Sequence, residues 1–537
     1  MAIAIAIILT LGVSNFVFAS NPAQDPDSNG QYTISVADDD THSYKVFQVL
    51  TGTLVPGENT LGNAAWGADA ISNPGTVSDF VTDITAAGLS EADIAAKVTA
   101  KTNTSSDGQG TVSKGHSLPV DPGYYVLVDV TTNLAAGDSL SLNVVRVFNN
   151  IQITPKKTTV ESHKDVKDIN DSTDSAASDW QKVADHDQGD VIEYRIYAKL
   201  PTDHYDDYKK YPLNFVDTMS KGLTLVDNST KLYVTSDLSN LGTEKDNAPT
   251  PADVSAIDDY KGQLTGAYDG GKVWKWSIVD VKAIGATAGQ YVVITYQATL
   301  NDNALIGAAG NPNTMYVEYA NNPNVDNPTP EGKTTPEANI VFTYRVDVDK
   351  IKGEDYSLLQ GAGFTLYKQY NTEQSDKGNN AAADLGKTSE YWYAVGSEQY
   401  SNGTLNQFSW LRVDDGNYIL KETHTPTGYN TVADIPFTIT VNHSTTDTSA
   451  LTTELSVSGE GFQASTTGGT LTFKKTETIT HDKTVVSGSV ATAVVNEKGT
   501  QLPSTGGSGT TMIYIIGVIL LAGAGILLVT RRRMKAE

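Results

Sequence analysis

The chain has 537 residues, with 63 acidic and 38 basic side chains, a formal net charge of −25 and no cysteine. This length accommodates about three or four domains, and 39% apolar residues are enough for packed cores. The acidic balance argues against nucleic-acid binding, because neutralising phosphates needs clustered Lys and Arg. The absence of cysteine is compatible with a cytosolic protein, or with an exported one that is cross-linked by chemistry other than disulfides.

The N-terminal segment is apolar over residues 2–18. A small residue at Ala19, with Val17 two positions before it, is typical of a signal-peptidase site. The basic residues that normally begin such a segment are missing. The sequence therefore predicts a signal peptide over 1–19 and leaves open whether translation starts at Met1 or upstream of it.

Between the two ends of the chain the pattern is mainly that of β-strands. Segments 191–200 and 291–300 are rich in β-branched and aromatic residues and alternate in part with a period of two. Clusters of Gly, Asn, Asp and Pro separate such segments, as in β-sandwiches. Residues 78–101 instead predict two short helices, with Ser78 and Ser90 as N-caps.

Composition also predicts the domain boundaries. A short basic segment at 153–157 links an N-terminal domain, 21–152, to a middle domain, 158–332. Repeated Pro and Asn over residues 322–332 interrupt regular structure and mark the next junction. The third domain is then expected at 338–498.

The C-terminal segment combines three signals. An apolar stretch, 512–530, approaches the roughly 20 residues that a membrane span needs, and the basic tail 531–537 would hold its end in the cytoplasm. Just before it stands the motif Leu502, Pro503, Ser504, Thr505 and Gly506. The combination resembles the LPXTG cell-wall sorting signal, which implies sortase cleavage between Thr505 and Gly506. The alternative is an ordinary C-terminal membrane anchor.

Two segments of the third domain, 359–368 and 416–429, resemble Cna B-type immunoglobulin-like domains. The second matches the "E-box" of that family at Tyr418, Leu420, Glu422, Pro426, Gly428 and Tyr429. Segments 164–168, 215–223 and 319–323 resemble the middle domain of sortase-assembled backbone pilins. Segments 44–52 and 66–67 resemble the N-terminal domain of the same proteins. The implied fold is mainly β: tandem immunoglobulin-like (Cna-type) β-sandwiches, with short helices inserted in the N-terminal domain.

The resemblance implies internal Lys–Asn isopeptide bonds, which such domains close without an external enzyme. The reaction needs a neutral amine, a primary amide and a carboxyl group that moves protons. Burial in an apolar core favours the neutral amine and the neutral acid, and folding holds the reacting groups together. For the third domain, the matching residues are Lys350 as nucleophile, Asn496 as electrophile and Glu422 as the isopeptide-promoting acid.

The middle domain offers Lys164, Asn321 and Asp217 for the same three roles. Asn322 and Asn313 are alternatives to Asn321 as the electrophile. No Lys–Asn pair is evident in the first domain, where an Asp stands in the place of the E-box Glu, and no bond is predicted there.

In backbone pilins, a lysine between the first two domains joins the threonine of another subunit's sorting signal. The segment 153–157 resembles that pilin motif, and Lys156 holds the position of the acceptor for Thr505. Lys157 remains an alternative acceptor. No cofactor and no metal site is expected.

The function predicted on this basis is that of the structural major subunit of a covalent pilus on a Gram-positive cell wall, supporting adhesion. The alternative is a monomeric wall-anchored adhesin with Cna-type stalk domains. The implied partners are pilin-specific and housekeeping sortases, further copies of the chain, minor tip or basal pilins, peptidoglycan and a host surface ligand, with no nucleic acid. A wall-anchored enzyme is disfavoured, because the sequence lacks a Cys nucleophile, a zinc-protease motif and a Gly-x-Ser-x-Gly elbow.

Overall fold

The fold is that of a computed structural model in which residues 26–55, 61–84, 86, 96–136, 138–153, 160–174, 176–202, 205–242, 259–323, 327–387, 389–400, 404–446, 453–499, 516, 518–521, 524 and 531 are described. The described part is built mostly of strands arranged in several sheets. The predicted mainly-β fold class is confirmed.

The described residues of the first part of the chain, called the first sandwich below, contain two small sheets, a helix and a further helical turn at 96–99. Its elements are β1 (Tyr32–Val36), β2 (Ser43–Leu54), β3 (Leu61–Trp66), α1 (Val77–Ile84), β4 (Gly110–Ser113), β5 (Leu118–Val120), β6 (Gly123–Asp129), β7 (Leu142–Val147) and β8 (Ile151–Ile153). The strand orders are β5-β1-β8 and β3-β2-β6-β7, with β4 paired to β2. Thr76 caps α1, since its hydroxyl accepts the Asp79 N–H at 3.1 Å. The cap thus lies two residues before the predicted Ser78.

The next part of the chain packs two larger sheets face to face around one apolar core. Its elements are β9 (Glu161–Val166), β10 (Val183–Asp185), β11 (Val191–Lys199), a 3₁₀ turn (Tyr205–Asp207), β12 (Leu213–Met219), β13 (Leu223–Leu225), β14 (Lys231–Thr235), β15 (Asp259–Tyr268), β16 (Gly271–Ile278), β17 (Tyr291–Leu300), β18 (Asn311–Tyr319), β19 (Gly332–Lys333) and β20 (Glu337–Phe342). One sheet has the order β10-β20-β18-β12-β16-β15 and the other β13-β17-β11-β9. Strand β19 pairs with β18, and β14 pairs with β17.

The last sandwich encloses a second large core. Its strands are β21 (Tyr344–Lys352), β22 (Gly363–Tyr370), β23 (Tyr391–Ala394), β24 (Gln407–Val413), β25 (Gly416–His424), β26 (Ile435–His443), β27 (Thr453–Ser458), β28 (Phe462–Ser465), β29 (Gly469–Lys474), β30 (Thr480–Val485) and β31 (Ser489–Asn496). They form the sheets β24-β21-β31-β28 and β23-β22-β25-β26-β27, with β29 and β30 as a separate hairpin.

The middle sandwich, built from β9 to β20, and the third sandwich, built from β21 to β31, are joined directly by the chain between β20 and β21. Val341 packs into the core of the middle sandwich and Phe342 into that of the third, and Thr343 between the strands is fully buried. Except for Glu337, strand β20 lies within the range predicted for the third domain, yet it pairs with β18 and β10 of the middle sandwich. The two cores therefore adjoin with no exposed linker between β20 and β21.

A buried lysine also connects these two sandwiches. The Lys368 ammonium on β22 contacts Asp171 at 2.9 Å and Asp187 at 2.7 Å, both from the middle sandwich, and Asp414 from its own. Burial alone would lower the pKa of Lys368, but these three carboxylates outweigh it and raise that pKa well above its ordinary value. Lys368 therefore forms buried salt bridges that connect the two sandwiches.

Candidate functional site

The third sandwich brings together the three residues predicted for it. Lys350 lies on β21, Asn496 ends β31, and these two strands are parallel neighbours in which Lys350 stands opposite Val494. Because side chains two residues apart share a face of a sheet, Asn496 projects to the same side as Lys350. Glu422 reaches the pair from β25 of the facing sheet. The amine and the amide thus come from one sheet and the acid from the other.

The contacts in this cluster link all three groups. Lys350 Nζ donates a hydrogen bond to Asn496 Oδ1 and lies 3.3 Å from Glu422 Oε1. Asn496 Nδ2 donates to the same carboxylate oxygen at 2.9 Å. The other oxygen of Glu422 accepts the Val432 N–H at 3.1 Å and the Thr425 hydroxyl at 3.2 Å. One oriented carboxylate oxygen is therefore within reach of both nitrogens between which a proton would have to move.

Burial supports this chemistry in the third sandwich. Lys350 and Asn496 have no exposed surface and Glu422 has 5%. Burial lowers the pKa of Lys350 to about 8, although the nearby Glu422 opposes the change. At pH 7, an amine with that pKa is neutral in about a tenth of molecules, compared with a few in ten thousand at the ordinary lysine value. A usable fraction of the amine can therefore act as a nucleophile.

In the middle sandwich, the fold brings together Lys164, Asp217 and Asn313. Lys164 lies on β9, whereas Asp217 and Asn313 lie on the adjacent strands β12 and β18 of the opposite sheet. Asp217 pairs with Met315, and Asn313 pairs with Met219, two residues along from Asp217. The carboxyl and the amide therefore share one face, and that face is directed at the lysine across the core.

A tyrosine hydroxyl occupies the centre of this middle cluster. Lys164 Nζ donates to Asp217 Oδ2 and to the Tyr296 hydroxyl, the latter at 2.6 Å. Asn313 Nδ2 donates to the same hydroxyl at 2.9 Å, and the hydroxyl donates to Asp217 Oδ2 at 2.8 Å. Tyr296 on β17 was not singled out from the sequence. Its segment showed only the alternation of an ordinary strand.

Asn321, the amide predicted for this domain, lies elsewhere. It follows the end of β18, where its backbone carbonyl accepts the Leu140 N–H at 2.7 Å, and its side chain packs beside Gly332. Tyr319, the last residue of β18, pairs with Leu213 at the opposite end of β12 from Asp217. Six residues of strand, about 20 Å, separate that end from Asn313. Of the amides considered for this domain, Asn313, one of the two alternatives, and not Asn321 therefore lies within the cluster of Lys164 and Asp217.

Burial also perturbs the ionisable groups of the middle cluster. Lys164, Asp217 and Asn313 have no exposed surface. Burial lowers the pKa of Lys164 and raises the pKa of Asp217, while the attraction between the two groups opposes both changes. Both directions favour the neutral amine and the neutral acid. Asp217 Oδ1 and Asn313 Oδ1 are buried without a hydrogen-bond partner among the described residues.

The first sandwich has a different pair at the position of the E-box acid. Asp129 lies at the end of β6, and its Oδ2 forms a hydrogen bond of 2.6 Å with His42 Nδ1. Both residues are buried. The hydrogen bond with Asp129 raises the pKa of His42 above its ordinary value. In this part of the chain the partner of the acid at this position is therefore a histidine.

Several predicted features lie outside the described residues. They are the signal peptide 1–19, Lys156 and Lys157, the sorting motif 502–506 and most of the apolar stretch 512–530. Within the described part of the chain, no helix combines the length and the apolar character that crossing a membrane requires.

Three family models match successive parts of the chain. Residues 188–323 match the Gram-positive pilin backbone subunit 2, Cna-B-like domain. Residues 344–454 match the SpaA prealbumin-like fold domain, and residues 494–535 match the LPXTG cell wall anchor motif. The chain is therefore a cell-wall-anchored surface protein with one segment that matches a Gram-positive pilin backbone domain. The family resemblance and the cell-surface location predicted from the sequence are confirmed.

The chain is also similar to individual proteins and solved structures. The trypsin-resistant surface T6 protein of Streptococcus pyogenes serotype M6 is 24% identical over 392 residues, which cover 64% of this chain and 65% of that protein. The match thus spans just under two thirds of the T6 protein. The solved T6 backbone pilin of the same serotype has a TM-score of 0.47 at 16% identity, covering 88% of this chain and 98% of that one. The full-length major pilin SpaD of Corynebacterium diphtheriae has a TM-score of 0.42 at 15% identity, with coverage of 88% and 98%.

Proposed function

We propose that this chain is the structural major subunit of a covalent, sortase-assembled pilus that supports adhesion. The observation that carries the proposal is the presence of a buried Lys–Asn–acid cluster in each of two consecutive sandwiches, at Lys164–Asn313–Asp217 and Lys350–Asn496–Glu422. Burial lowers the pKa of the lysine in each cluster, which favours the neutral amine that bond formation needs.

In each cluster the neutral lysine attacks the amide carbon of asparagine. The C–N bond of an isopeptide forms, the bond to the amide nitrogen breaks, and ammonia leaves with a proton that originated on the amine. Glu422 contacts both nitrogens in the third sandwich, so it can carry that proton directly. Folding positions the groups, and proximity supplies much of the rate. No external enzyme, cofactor or metal is required.

The bonds would shorten the path along which tension passes through a polymer. Tension would enter at the acceptor Lys156 and leave at Thr505. A bond from Lys164 to Asn313 bypasses 149 residues (313 − 164), and a bond from Lys350 to Asn496 bypasses 146 residues. At up to about 3.5 Å per residue, each bypassed segment would otherwise extend by on the order of 500 Å.

The test is a denaturing gel of boiled cell-wall extracts from cells that express the native sortases. The wild-type chain should give a high-molecular-weight ladder, and Lys156→Ala should reduce it to monomer. A ladder that survives this change but disappears with Lys157→Ala would move the acceptor by one residue. No ladder from the wild type would favour the monomeric adhesin instead.

The proposed partners follow from this assembly. They are a pilin-specific sortase, a housekeeping sortase that transfers the finished polymer to peptidoglycan, other copies of this chain, and minor tip or basal pilins. The sorting signal, the membrane-spanning stretch and the acceptor lysine remain part of this proposal.

A further inference from the structure

The two clusters differ in how the acid reaches the leaving nitrogen. In the third sandwich, Glu422 Oε1 contacts the Lys350 amine and, at 2.9 Å, the Asn496 amide nitrogen. In the middle sandwich, the hydrogen bond from the amide nitrogen of Asn313 goes to the Tyr296 hydroxyl. That hydroxyl in turn donates to Asp217 Oδ2. The middle cluster therefore has one more polar group between the acid and the leaving group.

We propose that Tyr296 is a catalytic residue that relays the proton from Asp217 to the leaving nitrogen of Asn313 during isopeptide formation. The inference rests on the proposed function, since it concerns the bond-forming reaction of the same site. Tyr296 touches both reacting groups, because its hydroxyl lies 2.6 Å from Lys164 Nζ and 2.9 Å from Asn313 Nδ2.

The relay balances in atoms and charge. Asp217 begins as the neutral acid, and the neutral Lys164 amine attacks the amide carbon of Asn313 to form the new C–N bond. The nitrogen of Asn313 loses its conjugation with the carbonyl in the tetrahedral intermediate and becomes able to accept a proton. Tyr296 then gives its proton to that nitrogen and receives the one on Asp217. The bond to that nitrogen breaks and ammonia leaves, Asp217 takes the extra proton from the new isopeptide nitrogen and is again the neutral acid, and Tyr296 ends as the neutral phenol with which it began.

The ring of Tyr296 is held by packing on both sides. It stacks on Tyr194 with the ring centroids 5.2 Å apart and on Trp276 at 5.1 Å. The hydroxyl is therefore fixed by the core and does not depend on a mobile side chain. A pre-positioned relay of this kind suits general acid–base catalysis, which typically contributes about 10²–10⁴-fold in rate.

The decisive variant is Tyr296→Phe in the full chain, which keeps the stacked ring and removes the hydroxyl. Intact mass and gel mobility are followed from synthesis onward. The wild type should lose two ammonia molecules, one per bond. The variant should lose the one from Lys350 and Asn496 at the normal rate and the other at least about 10²-fold more slowly. The third-sandwich bond is thus an internal control for folding and export.

A matched control is Tyr205→Phe, which removes a hydroxyl buried in the same core that donates to the Ala286 carbonyl at 3.0 Å. This variant should form both bonds at the wild-type rate. Incorporating 3-fluorotyrosine at position 296 keeps the hydroxyl but makes it more acidic. The rate of the middle bond should change if the proton passes through that oxygen and should not change if the side chain only packs.

The possible outcomes distinguish a failure of the Tyr296 relay from a failure of the proposed bond formation. Two ammonia losses at the normal rate in Tyr296→Phe would overturn the relay and leave both bonds in place. Loss of only the third-sandwich ammonia in the wild type would instead overturn the middle bond itself. If Tyr296→Phe does not fold, an unchanged rate with 3-fluorotyrosine overturns the relay and a changed rate supports it.

Discussion

Replacing Glu422 by Gln tests whether the third-sandwich cluster forms a bond. The substitution preserves the size of the side chain and removes the carboxylate oxygen that contacts both Lys350 and Asn496. We expect the amine and the amide to stay unreacted side by side. Relative to the mass expected from each sequence, the wild type should have lost two ammonia molecules and the variant only one.

The loss of stability can be estimated from the loop that the bond closes. Lys350 and Asn496 are 146 residues apart, and the loop-entropy relation developed for disulfides gives about 5 kcal/mol for a cross-link of that span. For a domain of this size, 1 kcal/mol corresponds to a change in Tm of about 2–4 °C. The third sandwich of Glu422→Gln should therefore unfold about 10–20 °C below that of the wild type.

Intact mass spectrometry and differential scanning calorimetry on the same sample provide the two readouts. The matched control is Glu398→Gln, which removes a partly exposed carboxylate paired with His424 at 2.9 Å. It should retain both ammonia losses and the wild-type Tm. If Glu422→Gln still loses two ammonia molecules, the role assigned to Glu422 is wrong. If the bond is absent and Tm is unchanged, the estimate from loop entropy fails.

Three further predictions concern the other sites. Asn313→Ala should abolish the middle-domain ammonia loss and Asn321→Ala should retain it, as intact mass will show. Since the pKa of His42 is raised in the folded state, its stabilisation of the first sandwich should be complete below about pH 6.5. It should then decline as the pH rises through the folded-state pKa, and thermal melts should show a flatter pH dependence for His42→Gln. Lys368→Met leaves buried carboxylates unpaired and should weaken the contact between the second and third sandwiches by about 3–5 kcal/mol. Chemical denaturation of the full chain, with faster proteolysis near residue 343, would reveal it.

Contiguous motifs were predictable from the sequence because their spacing determines their geometry. Glu422 belongs to a sequence motif whose residues have fixed spacing. Lys350 lies in the first strand of the same sandwich. Asn496 is in the last strand before the sorting signal. Each of these positions is set by local sequence and chain order. The structure brings all three side chains together.

The middle amide could not be chosen in the same way. Asn313 and Asn321 are both close to β18, and only the register of that strand against β12 decides which of them lies beside Asp217. Register depends on the packing of whole faces, which a single sequence does not reveal. The same limitation hid Tyr296, because alternation predicts a strand without saying which of its side chains meets a lysine from another sheet.

Lys368 illustrates a second limit. Its segment was identified as part of a family motif, but its partners Asp171 and Asp187 come from the preceding sandwich, 197 and 181 residues away in the chain. Contacts of that separation depend on how two sandwiches dock. No periodicity or spacing within either sandwich encodes them.

The position of Lys350 on its strand has a mechanical consequence. Strand β21 enters the third sandwich at Tyr344, and Lys350 lies near its far end, opposite Val494 and close to the last residue of β31. With the bond to Asn496 in place, a pulling force would run along seven residues of one strand, about 20 Å, cross a single side-chain bridge and leave the domain. The other strands of the sandwich would then carry no tension. Their loops could therefore vary in length and sequence without altering how far the polymer stretches.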